Sequence, residues 1–262
     1  MNKIDFRIAL PNLITILGLC LGLNSLKFAF EGNFEKSITF IVLAAILDTL
    51  DGRIARFIKG TSKFGAELDS LTDFVNFGVC PGLIVYFWAL NSFKFFGWII
   101  TLLFVVACCL RLARFNIDTG LKSEKENWRI NFFTGVPAPA GAGLILMPLI
   151  VSFSDFNYLF ENILNNQIIL SLMVFVSFLM ISKIPTYAFK KIKISKSIFI
   201  LLALSLVLFF GLLFNKMFET LTVLGIVYFL SIPISFVHFL RLKKYKERVS
   251  KKTDSLISDE II

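Results

Sequence analysis

The 262-residue chain has a single histidine, His238. That excludes a zinc site built from several histidines. His238 lies near the end of the last apolar run, far in sequence from the acidic residues described below, and reads as structural. Cysteine is also sparse. Cys20, Cys80, Cys108 and Cys109 all fall inside apolar runs, and none has metal-ligand spacing, so they read as small core or lipid-facing residues. Charged residues make up only 17% of the chain. No internal repeat and no low-complexity linker divides it. No small-residue cleavage site follows the short polar start Met1 to Arg7, so the first apolar run is expected to be a membrane span rather than a signal peptide.

Apolar residues are abundant instead. They make up 56% of the chain, with 31 phenylalanines, and the mean hydropathy is +0.79. Such a composition points to an all-α polytopic membrane protein. A spanning helix needs roughly 20 mostly apolar residues. The apolar runs predict about eight transmembrane helices, at 9–30, 36–58, 69–90, 95–115, 136–154, 167–182, 196–214 and 218–240. One integral-membrane domain is expected over 1–240, followed by a polar tail over 241–262.

The net charge of +9 raises the question of nucleic acid. No basic face interleaved with aromatics is present, so no nucleic-acid partner is expected. The basic residues instead gather at the ends of alternate apolar runs. Only Lys27, Lys36, Lys94 and Lys216 fall on the opposite side. This asymmetry predicts cytoplasmic termini and an even number of spans. The protein is therefore expected to be multi-pass in the cytoplasmic membrane. The loop over 116–135, with Trp128 at an interface, is expected on the cytoplasmic side. The Lys-rich run from Lys190 reads as an interfacial linker on anionic lipid, or as part of a phosphate or carboxylate site.

Against this background four carboxylates stand out. Asp48 and Asp51 are three apart, and Asp69 and Asp73 are four apart, so each pair shares a helix face. Charge near a bilayer is costly and usually functional. The connection between the pairs is short and carries Gly60 and Gly65, which predicts antiparallel neighbouring helices with converging carboxylates. Hard oxygen ligands of this kind suit Mg²⁺, Mn²⁺ or Ca²⁺. Two divalent ions on shared carboxylates form a clamp for displacement at phosphorus. Gly52 and Gly65 clear space for a nucleotide or a backbone, and Arg56 can fork onto a phosphate. A cation transporter is the contrasting reading. It predicts acids near the bilayer midplane and a two-fold repeat, whereas these acids lie near span ends.

The run D-x2-D-G-x2-A-R-x8-G-x3-D-x3-D, filled by Asp48, Asp51, Gly52, Ala55, Arg56, Gly65, Asp69 and Asp73, resembles the signature of the CDP-alcohol phosphatidyltransferase family. The resemblance implies displacement of CMP from a CDP-linked lipid by an alcohol. It makes Asp48, Asp51 and Asp69 metal ligands, with two Mg²⁺ or Mn²⁺ ions as cofactor. Asp73 becomes the catalytic base, also touching a metal. It places Gly52, Arg56 and Gly65 at the cytidine diphosphate site. Asn12 and Thr15 either join that site or cap the first helix.

Shorter matches resemble the phosphatidylserine synthase branch. They are Leu10 to Thr15, Arg111 to Asn116, Phe133 to Ala140, and Ser182 to Pro185. They imply CDP-diacylglycerol and L-serine as substrates, with membrane lipid around them, and a homodimer. Glycerol 3-phosphate, inositol phosphate or choline remain alternative acceptors. For serine, Arg111 and Arg114 are candidates to hold the carboxylate, or else positive-inside anchors. Asn76 is a candidate for the amine or phosphate, or else a helix–helix hydrogen bond. Lys183 either contributes to the serine site or simply snorkels.

Overall fold

A computed structural model describes residues 6–120, 132–160, 165–187 and 196–260. It is a helical bundle. The long helices are α1 (Phe6–Phe30), α2 (Phe34–Phe57), α3 (Lys63–Phe74), α4 (Cys80–Trp88), α5 (Phe95–Gly120), α6 (Ala138–Ser152), α8 (Asn166–Ile181), α9 (Lys196–Asn215) and α10 (Met217–Glu260), with one short helix, α7 (Asn157–Phe160). A π-helical segment, Val75–Val79, joins α3 to α4 without a break. All eight apolar runs are helices. By length and composition, Phe6–Phe30, Lys63–Trp88, Phe95–Ile117 and Met217–Leu242 can each cross a membrane. α6 and α8 are apolar but shorter. The polar tail continues the helix of the last span as far as Glu260.

α1 buries Pro11, Thr15, Gly18, Gly22, Ser25 and Ala29, a seam of small residues spaced three or four apart. Small side chains let α2 and α3 approach α1 closely. The far end of the α1–α2 pair is tied by Ser37 Oγ donating to Ser25 O at 2.8 Å. The turn between them uses Gly32 at φ +77° and the α2 N-cap Asn33, whose side chain accepts from Lys36 N. The apolar core lies deeper, where Ile84 and Val85 of α4, Phe104 of α5, Leu144, Ile145 and Leu149 of α6, and Met173 and Met180 of α8 are buried. The outer faces of α9 and α10 expose large apolar residues, among them Leu201, Val207, Val223, Val227 and Ile234. Such faces suit lipid.

Two features depart from the sequence expectation. The third apolar helix starts at Lys63, not near residue 69, because Ser62 caps it by accepting from Gly65 N at 2.9 Å. Asp69 and Asp73 therefore lie inside a helix rather than at its start. A two-stranded antiparallel pair also forms, β1 (Phe132–Thr134) with β2 (Pro185–Tyr187), in the register Phe133↔Thr186. Gly135 follows β1 at φ +79°, and a Cβ there would stand 2.8 Å from the carbonyl oxygens of Met180 and Ser182. Only glycine lets the chain turn so close to the end of α8. Trp128 and the Lys190 run lie outside the described residues.

Candidate active site

Asp48 and Asp51 project from the last turns of α2, and Asp69 and Asp73 from α3. Carboxylate oxygens of Asp48, Asp51 and Asp69 lie within 4.8 Å of one another. Asp73 is outside that set, and its carboxyl group faces Asp48 at hydrogen-bonding range. Two ionised carboxylates with oxygens 4.8 Å apart repel by about 3.5 kcal/mol at an effective dielectric near 20, and closer ones by more. Three or four together need cations or protons.

Whether these residues fit a metal is decided by their own oxygens. Asp51 is 2% exposed, and its Oδ2 accepts from Thr15 Oγ1 at 2.5 Å. Asp51 Oδ1 and Asp48 Oδ1 are buried with no hydrogen-bond donor among the described residues. Buried carboxylate oxygens without donors are costly. A hard divalent cation ligated by them removes that cost. Asp48, Asp51 and Asp69 therefore fit a divalent metal site. Thr15, whose Oγ1 also lies 3.1 Å from Pro11 O, gives its one proton to the nearer Asp51 carboxylate and fixes it from behind.

A cavity of about 420 Å³ opens next to the acids. α1 contributes Pro11, Asn12 and Thr15, and α2 contributes Asp51, Gly52, Ala55 and Arg56. The α2–α3 connection and the start of α3 contribute Gly60, Thr61, Ser62, Gly65, Ala66 and Asp69, and α5 contributes Phe115. Every nucleotide-site residue expected from the sequence lines this cavity. The two motif glycines differ in their surroundings. A Cβ on Gly65 would come within 2.8 Å of Asn12 Oδ1, so its smallness lets α3 close on α1. A Cβ on Gly52 would meet nothing within 4 Å. No packing among the described residues demands glycine at position 52. The N-terminus of α3 also faces the cavity, where backbone N–H groups and the helix dipole favour an anion. Arg56 is exposed, and its Nε donates to Gly52 O at 2.9 Å on its own helix.

Thr61, Ser62, Ala66 and Phe115 line the cavity without having been expected there. Ser62 was detectable as a capping residue three before Gly65. Phe115 falls within the Arg111 to Asn116 match, but nothing in that run gives the ring a role.

None of the four serine-site candidates lines the cavity. Asn76 is fully buried in the π segment and turned to α1, where a Cβ on Gly22 would collide with its Oδ1. Neither atom of its amide has a partner among the described residues. Arg114 Nη1 donates to Ile181 O at 2.8 Å, which satisfies a terminal carbonyl of α8. Lys183 is exposed. Arg111 is 5% exposed, with its Nε donating to Val136 O at 3.1 Å and its guanidinium 6.0 Å from the Phe115 ring centroid.

Comparison with known proteins adds a second line. The profile of the CDP-alcohol phosphatidyltransferase family matches residues 8–177. A CDP-diacylglycerol–serine O-phosphatidyltransferase of Helicobacter pylori is 37% identical over 213 residues, covering 81% of this chain and 84% of that protein. One of the same name from Mycobacterium tuberculosis is 46% identical over 135 residues, covering 51% of this chain and 46% of that protein. An archaetidylserine synthase of Methanothermobacter thermautotrophicus is 33% identical over 189 residues, covering 70% of this chain and 71% of that protein.

Proposed function

This chain belongs to the CDP-alcohol phosphatidyltransferase family, and on that premise we propose that it transfers the phosphatidyl group of CDP-diacylglycerol to the hydroxyl of L-serine, giving phosphatidylserine and CMP. The observation that carries the chemistry is the cluster of Asp48, Asp51 and Asp69 on the wall of a cavity roomy enough for a nucleotide. The serine acceptor is supported by the names of the relatives from Helicobacter pylori and Mycobacterium tuberculosis.

In this reading Asp48, Asp51 and Asp69 hold two Mg²⁺ or Mn²⁺ ions, with Asp73 close enough to Asp48 to share the site. The bound ions supply charge neutralisation on the diphosphate and on the departing CMP. The α3 N-terminus and Arg56 hold diphosphate oxygens, and Phe115 offers a ring face to the base. Asp73 accepts the proton of the serine hydroxyl as its oxygen bonds to the lipid-side phosphorus. The bond from that phosphorus to the bridging oxygen breaks, and CMP leaves with the electron pair.

The site faces the cytoplasm, where CMP and serine are soluble, and both termini lie on that side of the cytoplasmic membrane. The distribution of Lys and Arg supports this orientation and eight spans. Residues 1–240 form one catalytic domain, with 241–262 as its polar tail, and the enzyme acts as a homodimer. Mass measurement of detergent-solubilised protein tests the dimer.

The deciding experiment incubates purified full-length protein with CDP-diacylglycerol, Mn²⁺ and a panel of labelled alcohols. Phosphatidylserine is the expected product, and exhaustive chelation is expected to abolish its formation. Product from glycerol 3-phosphate and none from serine overturns the acceptor. Full activity after chelation overturns the metal assignment.

A further inference from the structure

The cavity described above accounts for the nucleotide but not for the acceptor. The acceptor must reach the acids from another side, and its site should offer a cation and a hydrogen-bond donor to a carboxylate. Arg111 is the buried cation nearest in depth to the acids. Two contacts fix its level. Asn116 Nδ2 donates to Ser70 Oγ at 3.1 Å, and a Cβ on Gly78 would lie 3.1 Å from Cys108 Sγ. α5 therefore runs antiparallel to the α3–α4 helix in a register that sets Arg111 opposite Val75. At 1.5 Å per residue, Arg111 lies about 3 Å deeper than Asp73, less than one turn away. Cys108, one turn before Arg111, lies within electrostatic reach of both Asp73 and Arg111.

Beside Arg111 stands a group that the shared chemistry does not use. Tyr228 of α10 lies within electrostatic reach of Arg111 and next to Thr186 of β2. Its hydroxyl oxygen is buried and has no well-formed hydrogen bond among the described residues. Thr186 is 2% exposed, and its hydroxyl proton is committed to Gly135 O at 3.0 Å. It can therefore only accept from a neighbour. β2 is in turn held to α10 by Ser235 Oγ donating to Pro185 O at 3.0 Å. Arg111 Nε and Thr186 Oγ1 thus donate to the adjacent carbonyls of Val136 and Gly135, at 3.1 and 3.0 Å, so one turn of backbone holds both beside α10. A buried phenol without a well-formed hydrogen bond costs folding free energy, which is explained if a ligand completes it.

We propose that Tyr228, seated beside Thr186, turns its one hydroxyl proton to the acceptor's carboxylate beside the guanidinium of Arg111. This rests on the serine reading above and adds the residue that selects for a carboxylate. Thr186 and Tyr228 both lie beyond residues 8–177, the span matched by the family as a whole. Acceptor choice then resides in the C-terminal third, which wraps back onto a shared catalytic half.

The test compares L-serine with serinol, which has a hydroxymethyl group in place of the carboxylate, in wild type and Tyr228→Phe, at saturating CDP-diacylglycerol and Mn²⁺. Tyr228→Phe is expected to raise the KM for L-serine about tenfold and to leave the KM for serinol and for CDP-diacylglycerol within twofold. L-serine is expected to raise the Tm of the wild type and not that of the variant. Without serine the variant should melt no earlier than wild type, because an unpartnered buried hydroxyl has been removed. An unchanged serine KM, an equal rise for serine and serinol, or loss of folding in Tyr228→Phe overturns the proposal. In the last case the hydroxyl would have been serving the fold. If wild type makes no phosphatidylserine, the acceptor reading itself fails, a result separate from these.

Discussion

Thr15 on α1 donates its hydroxyl proton to Asp51 on α2 across 2.5 Å, joining the first helix of the chain to the metal cluster. Thr15→Val keeps the shape of the side chain and removes this bond. Asp51 then loses its fixed orientation. Mn²⁺ affinity is expected to fall roughly 10- to 100-fold, measured by calorimetric titration, and the metal-free protein should lose about 1–3 kcal/mol of stability. Unaltered Mn²⁺ binding would show that Asp51 is oriented by something else.

Gly52→Ala separates fold from ligand. The added methyl meets nothing within 4 Å in the protein, and alanine is favoured over glycine within a helix by about 0.5–1 kcal/mol. The variant should be as stable as wild type or more so. Its KM for CDP-diacylglycerol should nevertheless rise about 5- to 150-fold, since one buried methyl clash costs about 1–3 kcal/mol. Wild-type kinetics would mean the nucleotide does not pass position 52.

Asp73→Asn tests the division of labour among the acids. Asp73 lies outside the group of three that close within 4.8 Å. Removing its basicity should lower kcat by about 10²–10⁴ while Mn²⁺ and CDP-diacylglycerol still bind. Near-normal turnover would move the base elsewhere. Loss of Mn²⁺ binding would make Asp73 chiefly a ligand.

Gly135→Ala is expected to destabilise by about 1–3 kcal/mol, the usual cost of a strained backbone position. The φ of +79° is joined there by a Cβ pressed to 2.8 Å from two carbonyl oxygens. Thermal unfolding in detergent measures the loss. A Tm equal to wild type would show that the β1–α6 turn can relax.

The connections at the opposite end of the bundle carry a pH-sensitive pair. Lys216 Nζ lies 2.8 Å from Asp155 Oδ2. The Lys216 hydrogen bond and charge hold the Asp155 carboxyl below its ordinary range, and Asp155 raises Lys216. A depressed carboxyl stabilises above its unfolded value and loses that contribution as pH falls through its folded one. A raised amine stabilises below its unfolded value and loses it as pH rises through its folded one. Both groups are fully exposed, so the effect is small. Asp155→Asn should flatten the acid-side fall of Tm only slightly, and a large change would reveal burial of this pair in an assembly.

The catalytic half of the molecule was legible because its chemistry is local. Asp48, Asp51, Gly52, Arg56, Gly65, Asp69 and Asp73 lie within 26 residues, and helical spacing alone aims them. Polar groups in an apolar chain have few innocent explanations. What escaped detection depends on distant parts of the chain. β1 and β2 are three residues each and pair across about 50 residues of sequence, too short to show a strand pattern. Arg114 looked like a ligand-binding arginine, yet it satisfies the end of α8, a need visible only once α8 is packed beside it. Asn76 shares a helix with Asp73, but the π segment and the Gly22 gap turn it to α1. Tyr228 lies 155 residues after Asp73, and no periodicity links them.

The π segment Val75–Val79 has a consequence for how this helix can change. It accommodates one residue more than a regular turn, so Lys63–Trp88 is one rod with two angular settings. The upper setting aims Asp69 and Asp73 at α2, and the lower one seats Gly78 and Gly82 against α5. A single-residue deletion here would restore a regular helix and swing one half about 100° relative to the other. The length of the rod cannot change by one residue without separating the acids from their partners or the glycines from theirs.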